Sequence, residues 1–232
     1  MGHQTNSLTL SGVQTRPRHR RLKIALALLW VLLVLYPRPW DLALTIQRSL
    51  FPPIDPAAAA PIAVKLDDDP KHIDEAVRQR IIAYAYDWTV YDEPWYFATV
   101  EEALRDGRGD CESQAIVLAS VLHAKQIPYK LQVSFDHIWV EYAQKDPNAM
   151  EKDAVAVVEH VDGKLRVKAP DEFDWKKFIK NHREAHWDPM PLGRKLLLLG
   201  GLGMIIFLDF SRLLSTRSAV RRRPAPTPSV EH

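Results

Sequence analysis

Cysteine is nearly missing from this chain: Cys111 stands alone among 232 residues. One thiol excludes an intrachain disulfide framework and a multi-cysteine zinc site. There is no excess of one charge either. Lys plus Arg is 31 and Asp plus Glu is 29, a formal balance of +2. That excludes a strongly basic nucleic-acid binder and a strongly acidic solvating chain. Long apolar runs are absent as well: Ile24 to Tyr36 and Leu196 to Leu208 are 13 residues each, shorter than the ~20 of a spanning helix. No internal repeat stands out. What is present is ordinary globular material, 47% hydrophobic and 26% charged, too apolar for wholesale disorder.

The near-neutral total hides a pattern. Arg16, Arg18, Arg20, Arg21 and Lys23 precede the first apolar run, and Arg212, Arg217 and Arg221 to Arg223 follow the second. With flanks that snorkel or sit at the interface, 22–40 and 192–213 approach spanning length. Tyr36 and Trp40 fit an aromatic belt, and Pro37 and Pro39 end the first helix there. The basic clusters put both termini in the cytoplasm and the middle outside it. A cleaved signal peptide is the competing reading of the first run, but no small-x-small site precedes Pro37. The resulting plan is a basic tail 1–21, a span 22–40, a Pro/Ala-rich extended stalk 41–70, a domain 71–191, a span 192–213 and a basic tail 214–232.

Within the domain, Ile73, Ala76, Val77, Ile81, Tyr84, Ala85 and Trp88 share one helical stripe. Thr99-Val100-Glu101-Glu102 has the form of a capping box, and Gly107 closes that short helix. A third helix follows Asp110, apolar almost all round from Ala115 to Leu122 and therefore buried. Leu131, Val133 and Phe135 alternate with polar residues in a half-buried strand. Ile138, Val140 and Tyr142 continue a second, and 155–161 with 165–169 read as a hairpin across Asp162-Gly163. Helices first and an antiparallel sheet second make an α+β domain.

Cys111 opens the most buried helix. There the helix N-terminus favours a thiolate, and the Cys111 N–H can face an oxyanion. His137 starts a strand 26 residues later. One helix packed on one strand returns the chain to the cysteine level over that length, so the pair has the make-up of a nucleophile and its base.

Gly109-Asp110-Cys111-Glu112, the Ala115–Leu122 helix and His137-Ile138-Trp139-Val140-Glu141 together resemble the transglutaminase-like superfamily, from about Ile73 to Trp175. The resemblance implies a papain-like α+β core and a Cys-His-Asp triad. Cys111 is then the nucleophile and His137 the base and later acid, and Trp95 matches an aromatic on the oxyanion side. The family's Asp stands on the strand neighbouring the His. Glu151 and Asp153, 14 and 16 residues after His137, bracket its place, and spacing elects Glu151. Asp171, beyond the hairpin, comes second. In a plain meander Glu159 or Asp162 lies closer.

The expected activity is acyl transfer on a peptide or carboxamide bond, with hydrolysis favoured over cross-linking. The alternative is a catalytically silent module that binds an envelope protein or polymer. The expected partners are a protein or peptide substrate and membrane lipid, with no nucleic acid. No cofactor and no metal are expected. His182 and His186 share a helical face, but Arg183 follows the first, so there is no H-E-x-x-H, and the pair reads as a polar face at the membrane surface.

Overall fold

The computed structural model describes residues 17–134, 137–145, 157–161, 164–167 and 174–221. They form two compact units, one from residues up to 34 together with those from 195 onward, the other 35–194. The first unit is helical. Helix α1 is Pro17–Leu35 and helix α9 is Leu192–Arg221. The Trp30 indole N–H donates to the Leu197 carbonyl at 3.1 Å. A Cβ on Gly201 would lie 2.1 Å from that indole, so a glycine is needed for the ring to fit. Among the described residues no single helix is long and apolar enough to cross a membrane. Two successive pairs pass that test only when taken together, Arg21–Leu35 with Pro39–Leu50 and Trp175–Trp187 with Leu192–Phe207. The expected 22–40 segment is thus broken where Pro37 and Pro39 stand.

The second unit is a mixed α+β body, as the sequence implied. In chain order it holds α2 (Pro39–Leu50), α3 (Pro56–Ala63), α4 (Pro70–Ala76) with a π-turn at Val77–Ile81, β1 (Ala83–Tyr84), α5 (Asp87–Val90) and α6 (Val100–Asp106). Then come β2 (Arg108–Gly109), α7 (Cys111–Ala124), β3 (Tyr129–Val133), β4 (Ile138–Tyr142), β5 (Val158–Val161), β6 (Lys164–Val167) and α8 (Trp175–His182) with a π-turn at Arg183–Trp187. Helix α7 is the axis of the body. Every residue from Ser113 to Leu122 is buried, with α3, α4, α6, β3 and β4 packed against the helix.

Residues 41–70 are not an extended stalk. Asp55 caps α3 by accepting from the Ala57 and Ala58 amides, and Pro56 occupies the first turn, where no amide donor is needed. Ala59 and Ala63 are in the core against α7. The apolar stripe expected to run from Ile73 to Trp88 is likewise interrupted. The π-turn ends at Ile82, and backbone pairing of Ala83 and Tyr84 with Arg108 and Gly109 draws the chain into a parallel two-stranded ladder. The capping box at Thr99 and Glu102 is present, and Gly107 ends α6 at φ 61°, the left-handed region that favours glycine.

The main sheet is antiparallel with order β4-β3-β5-β6. It is therefore not a plain meander. The β5–β6 hairpin joins β3, so Gln132 faces Trp139 on one side and Glu159 on the other. Gln132 and Trp139 are both fully buried, so the sheet is covered on both faces there rather than half-buried.

Helix α2 is held by polar contacts. Thr45 Oγ1 accepts from the Phe97 amide at 3.2 Å, and Arg48 donates to the Phe97 carbonyl at 2.8 Å and to Glu102 at 3.1 Å. Glu93, 1% exposed, sits between Asp41 and Arg38, whose guanidinium is 3.5 Å away. Burial first, and the neighbouring Asp41 next, push the Glu93 carboxyl up to about 7.

Two predictions follow from this seam and from α3. Replacing Ala59 by Leu overpacks the α3–α7 contact and costs about 1–3 kcal/mol in denaturant unfolding; a chain with a free stalk would show no change. Glu93 ionises near 4.5 when unfolded and near 7 when folded, so the fold loses stability as pH rises through that window. Glu93→Gln, which never ionises, should melt higher than the native protein at about pH 8 and lose that advantage near pH 4. A gap in melting temperature that is constant with pH would contradict the assignment.

Candidate active site

Gly109 ends β2 pressed against the first turn of α7; a Cβ there would lie 2.4 Å from the Ser113 side chain. The chain must therefore turn on a glycine. Asp110 caps the helix, its Oδ1 accepting from the Glu112 amide at 3.0 Å and the Ser113 amide at 3.4 Å, while its carbonyl takes the Gln114 amide. Cys111 follows as the first helical residue, half-buried.

The β3–β4 turn supplies the facing group. The His137 carbonyl accepts from the Ser134 amide at 2.8 Å and the Ser134 hydroxyl at 3.1 Å, which fixes the backbone just before β4. The next residue, Ile138, lines the same cleft as Cys111. His137 stacks on Trp139, with centroids 5.9 Å apart and planes 11° from parallel. Trp139 is fully buried, so the imidazole rests on a fixed plane. Cys111 and His137 line the same cleft, of about 600 Å³.

The expected third members fare differently. Glu151, Asp153, Asp162 and Asp171 lie outside the described residues. Glu159 is described and is not brought to His137. It sits on β5, with β3 between it and β4, and pairs with Lys130 at 3.1 Å. The sheet order is the reason, since a meander would have placed β5 beside β4. Trp95 lines the cleft, but its indole N–H donates to Glu112 Oε1 at 2.5 Å rather than facing an oxyanion.

The cleft also gathers groups that sequence reasoning left aside. Asp87 is buried, and its Oδ2 accepts from the Tyr96 amide at 2.8 Å. Asp87, Asp110 and Glu112 present carboxylate oxygens within 4.8 Å of one another. Such an all-oxygen group is the donor set that hard divalent cations take. His182 and His186 line the cleft too. His186 Nδ1 is 2.7 Å from the Pro94 carbonyl oxygen, and the Trp88 indole donates to the His186 carbonyl at 2.6 Å. Burial holds the His186 imidazole below its ordinary value. Asp110 and Glu112 carried a readable signal, as the neighbours of the cysteine. Asp87 arrives from 24 residues before Cys111 with no local motif to announce it, and His186, 75 residues after the cysteine, lines the cleft where the sequence suggested a polar face at the membrane surface.

The electrostatics run against the expectation of a thiolate at a helix mouth. Burial pushes the Cys111 thiol well above its ordinary value, and the charges of Asp110, Glu112 and Asp87 add to the rise; the Ile138 N–H opposes it. Glu112 and Asp87 are raised for the same reasons, burial first and the neighbouring Asp110 next. The resting site thus holds a neutral thiol among carboxyl groups. No family model, curated protein or solved structure matches the chain.

The acid cluster yields a direct check. Asp110→Asn keeps a helix cap but removes a charge beside the sulfur. Alkylation of Cys111 by iodoacetamide should then shift its midpoint to lower pH, by about tenfold in rate for each pKa unit on the rising limb. An unchanged profile would mean that Asp110 does not act on the thiol.

Proposed function

We propose that the chain is a membrane-tethered, transglutaminase-like thiol enzyme with a papain-like core, acting on peptide or carboxamide bonds outside the cytoplasm. One observation carries the reading: the only cysteine opens α7 in the same cleft as His137, which stands at the start of β4. The basic flanks of α1 and α9, whose apolar residues Leu22, Ile24, Leu28, Leu197 and Met204 are exposed, support two attachments to a bilayer with both termini on the cytoplasmic side.

In this mechanism the thiol proton passes to His137 as sulfur attacks the carbonyl carbon. The carbonyl oxygen takes the negative charge and faces the Cys111 N–H at the helix mouth. The C–N bond then breaks, the imidazolium protonates the departing amine, and a thioester remains on Cys111. Water, giving its proton to His137, attacks the thioester and releases the acid, and the sulfur recovers its proton. Because the resting thiol is neutral, proton removal accompanies attack instead of preceding it. Hydrolysis is favoured over transfer to an amine.

The raised thiol also supports a second reading, a silent binding module of the same fold with an envelope protein or polymer as its ligand. p-Nitrophenyl acetate separates the two. An enzyme acquires one acetyl group on Cys111, seen by intact mass, and His137→Ala slows that step by about 100-fold or more. Equal acetylation rates in the native and His137→Ala proteins would leave the silent module standing.

A further inference from the structure

Helix α2 is amphipathic with its faces reversed. Asp41 and Thr45 are buried, and Arg48 points to the body, where all three make the polar contacts described above. Trp40, Leu44, Ile46, Leu50 and Phe51 lie on the opposite side and are exposed, Trp40 by 62% and Phe51 by 73%. Gln47 is the one polar residue exposed among them. A surface helix in water turns the other way, apolar inward. Scattered exposed apolar residues are ordinary, but a continuous stripe along a whole helix marks a contact surface.

We infer that this stripe lies in a lipid surface, at the boundary between headgroups and acyl chains. Three features of the chain argue for lipid as the occupant. Helix α2 starts four residues after α1 ends. The two helices pass the membrane test of length and apolarity only as a pair. The stripe carries no charge, and tryptophan begins it, as suits an interfacial helix. A Pro-Arg-Pro link turns the chain out of α1, and Arg38 stays with Asp41 at 2.7 Å on the polar side.

This inference rests on the membrane attachment proposed above and deepens it. The inward side of α2 contributes Ser49 to the wall of the cleft that holds Cys111. One helix diameter, about 10–12 Å, therefore separates lipid from the cleft wall.

The test uses the full chain with Cys111→Ser, reconstituted into vesicles of equal parts phosphatidylcholine and phosphatidylglycerol. Single cysteines replace Leu44, Ile46 and Leu50, and Val64, 84% exposed on the body, serves as the control. Each is labelled with bimane. The expected result is blue-shifted emission at 44, 46 and 50, quenched by doxyl-labelled lipid and shielded from iodide, with the reverse at 64. If the protein floats with the vesicles while all four positions respond alike to iodide, the lipid contact of α2 is overturned and membrane attachment stands. Shielding from iodide without lipid quenching, together with disulfide cross-linking between protomers at Leu50→Cys, assigns the face to a second copy and overturns it as well. A protein that does not float overturns both.

Discussion

The burial of α7 is the constraint on which the rest of the body depends. Ten consecutive residues, Ser113 to Leu122, are removed from water, so the helix must be enclosed all round. Helix α3 closes one flank with small side chains, Ala59 and Ala63, which let the two backbones approach. Helix α6 and the β3–β4 ladder close the others. Once the axis is fixed, the position of its first residue follows. Gly109 allows the close turn, Asp110 ends the helix, and Cys111 opens toward the strand that returns from β3. Even the polar residues on α7 are placed by this enclosure: the Gln114 side-chain amide donates to the Ile82 carbonyl at 3.0 Å, tying the helix to the end of the π-turn.

Two opposing effects meet at the sulfur, and their sizes decide the outcome. A helix N-terminus contributes about 0.3–1 kcal/mol to an adjacent anion, up to about 2 kcal/mol in favourable partly buried cases. That is at most about one and a half pKa units at about 1.4 kcal/mol per unit. Burial acts against the ionised thiol and can reach about 3–5 units where a group is fully enclosed, and nearby negative charge acts in the same direction. Here burial and the acidic groups of Asp110, Glu112 and Asp87 stand on one side, with the helix terminus and the Ile138 N–H on the other. The thiol therefore stays protonated at rest, and ionisation must be brought about by the base and by whatever enters the cleft. A ligand that excludes no charge leaves the site as it is; a cationic group near Asp87 or Glu112 would change the balance.

The legible parts of the sequence were those written in local chemistry. The Thr99–Glu102 capping box, Gly107 and the apolar helix after Asp110 each depend on residues within one or two turns, and each stands where the pattern placed it. The 56–63 segment misled because four alanines between prolines resemble a spacer. Its decisive signals were the Asp55 cap and a proline in the first turn, which start a helix as well as they punctuate a linker. The order of the sheet was not legible, because a hairpin can add to either edge of an antiparallel pair with the same alternation of side chains. Asp87, Glu112 and His186 form one neighbourhood through contacts between α5, α7 and the turn after α8, so no window of sequence contains it.

The two ends of the body and the cleft share one loop. On the entering side, the Tyr36 hydroxyl donates to the Trp95 carbonyl at 3.3 Å and Arg38 faces Glu93. On the leaving side, His186 meets the Pro94 carbonyl, and Arg194 pairs with Asp92 and lies over the Trp88 ring. Between these anchors the same loop presents Pro94 and Trp95 to the cleft, with the Trp95 indole on Glu112, next to the cysteine in sequence. A pull or tilt applied at either end therefore reaches the carboxylates around the sulfur through a few hydrogen bonds and no flexible linker. The absence of a stalk matters for this reason. Here the residues that end the body on both sides also hold the wall of the site.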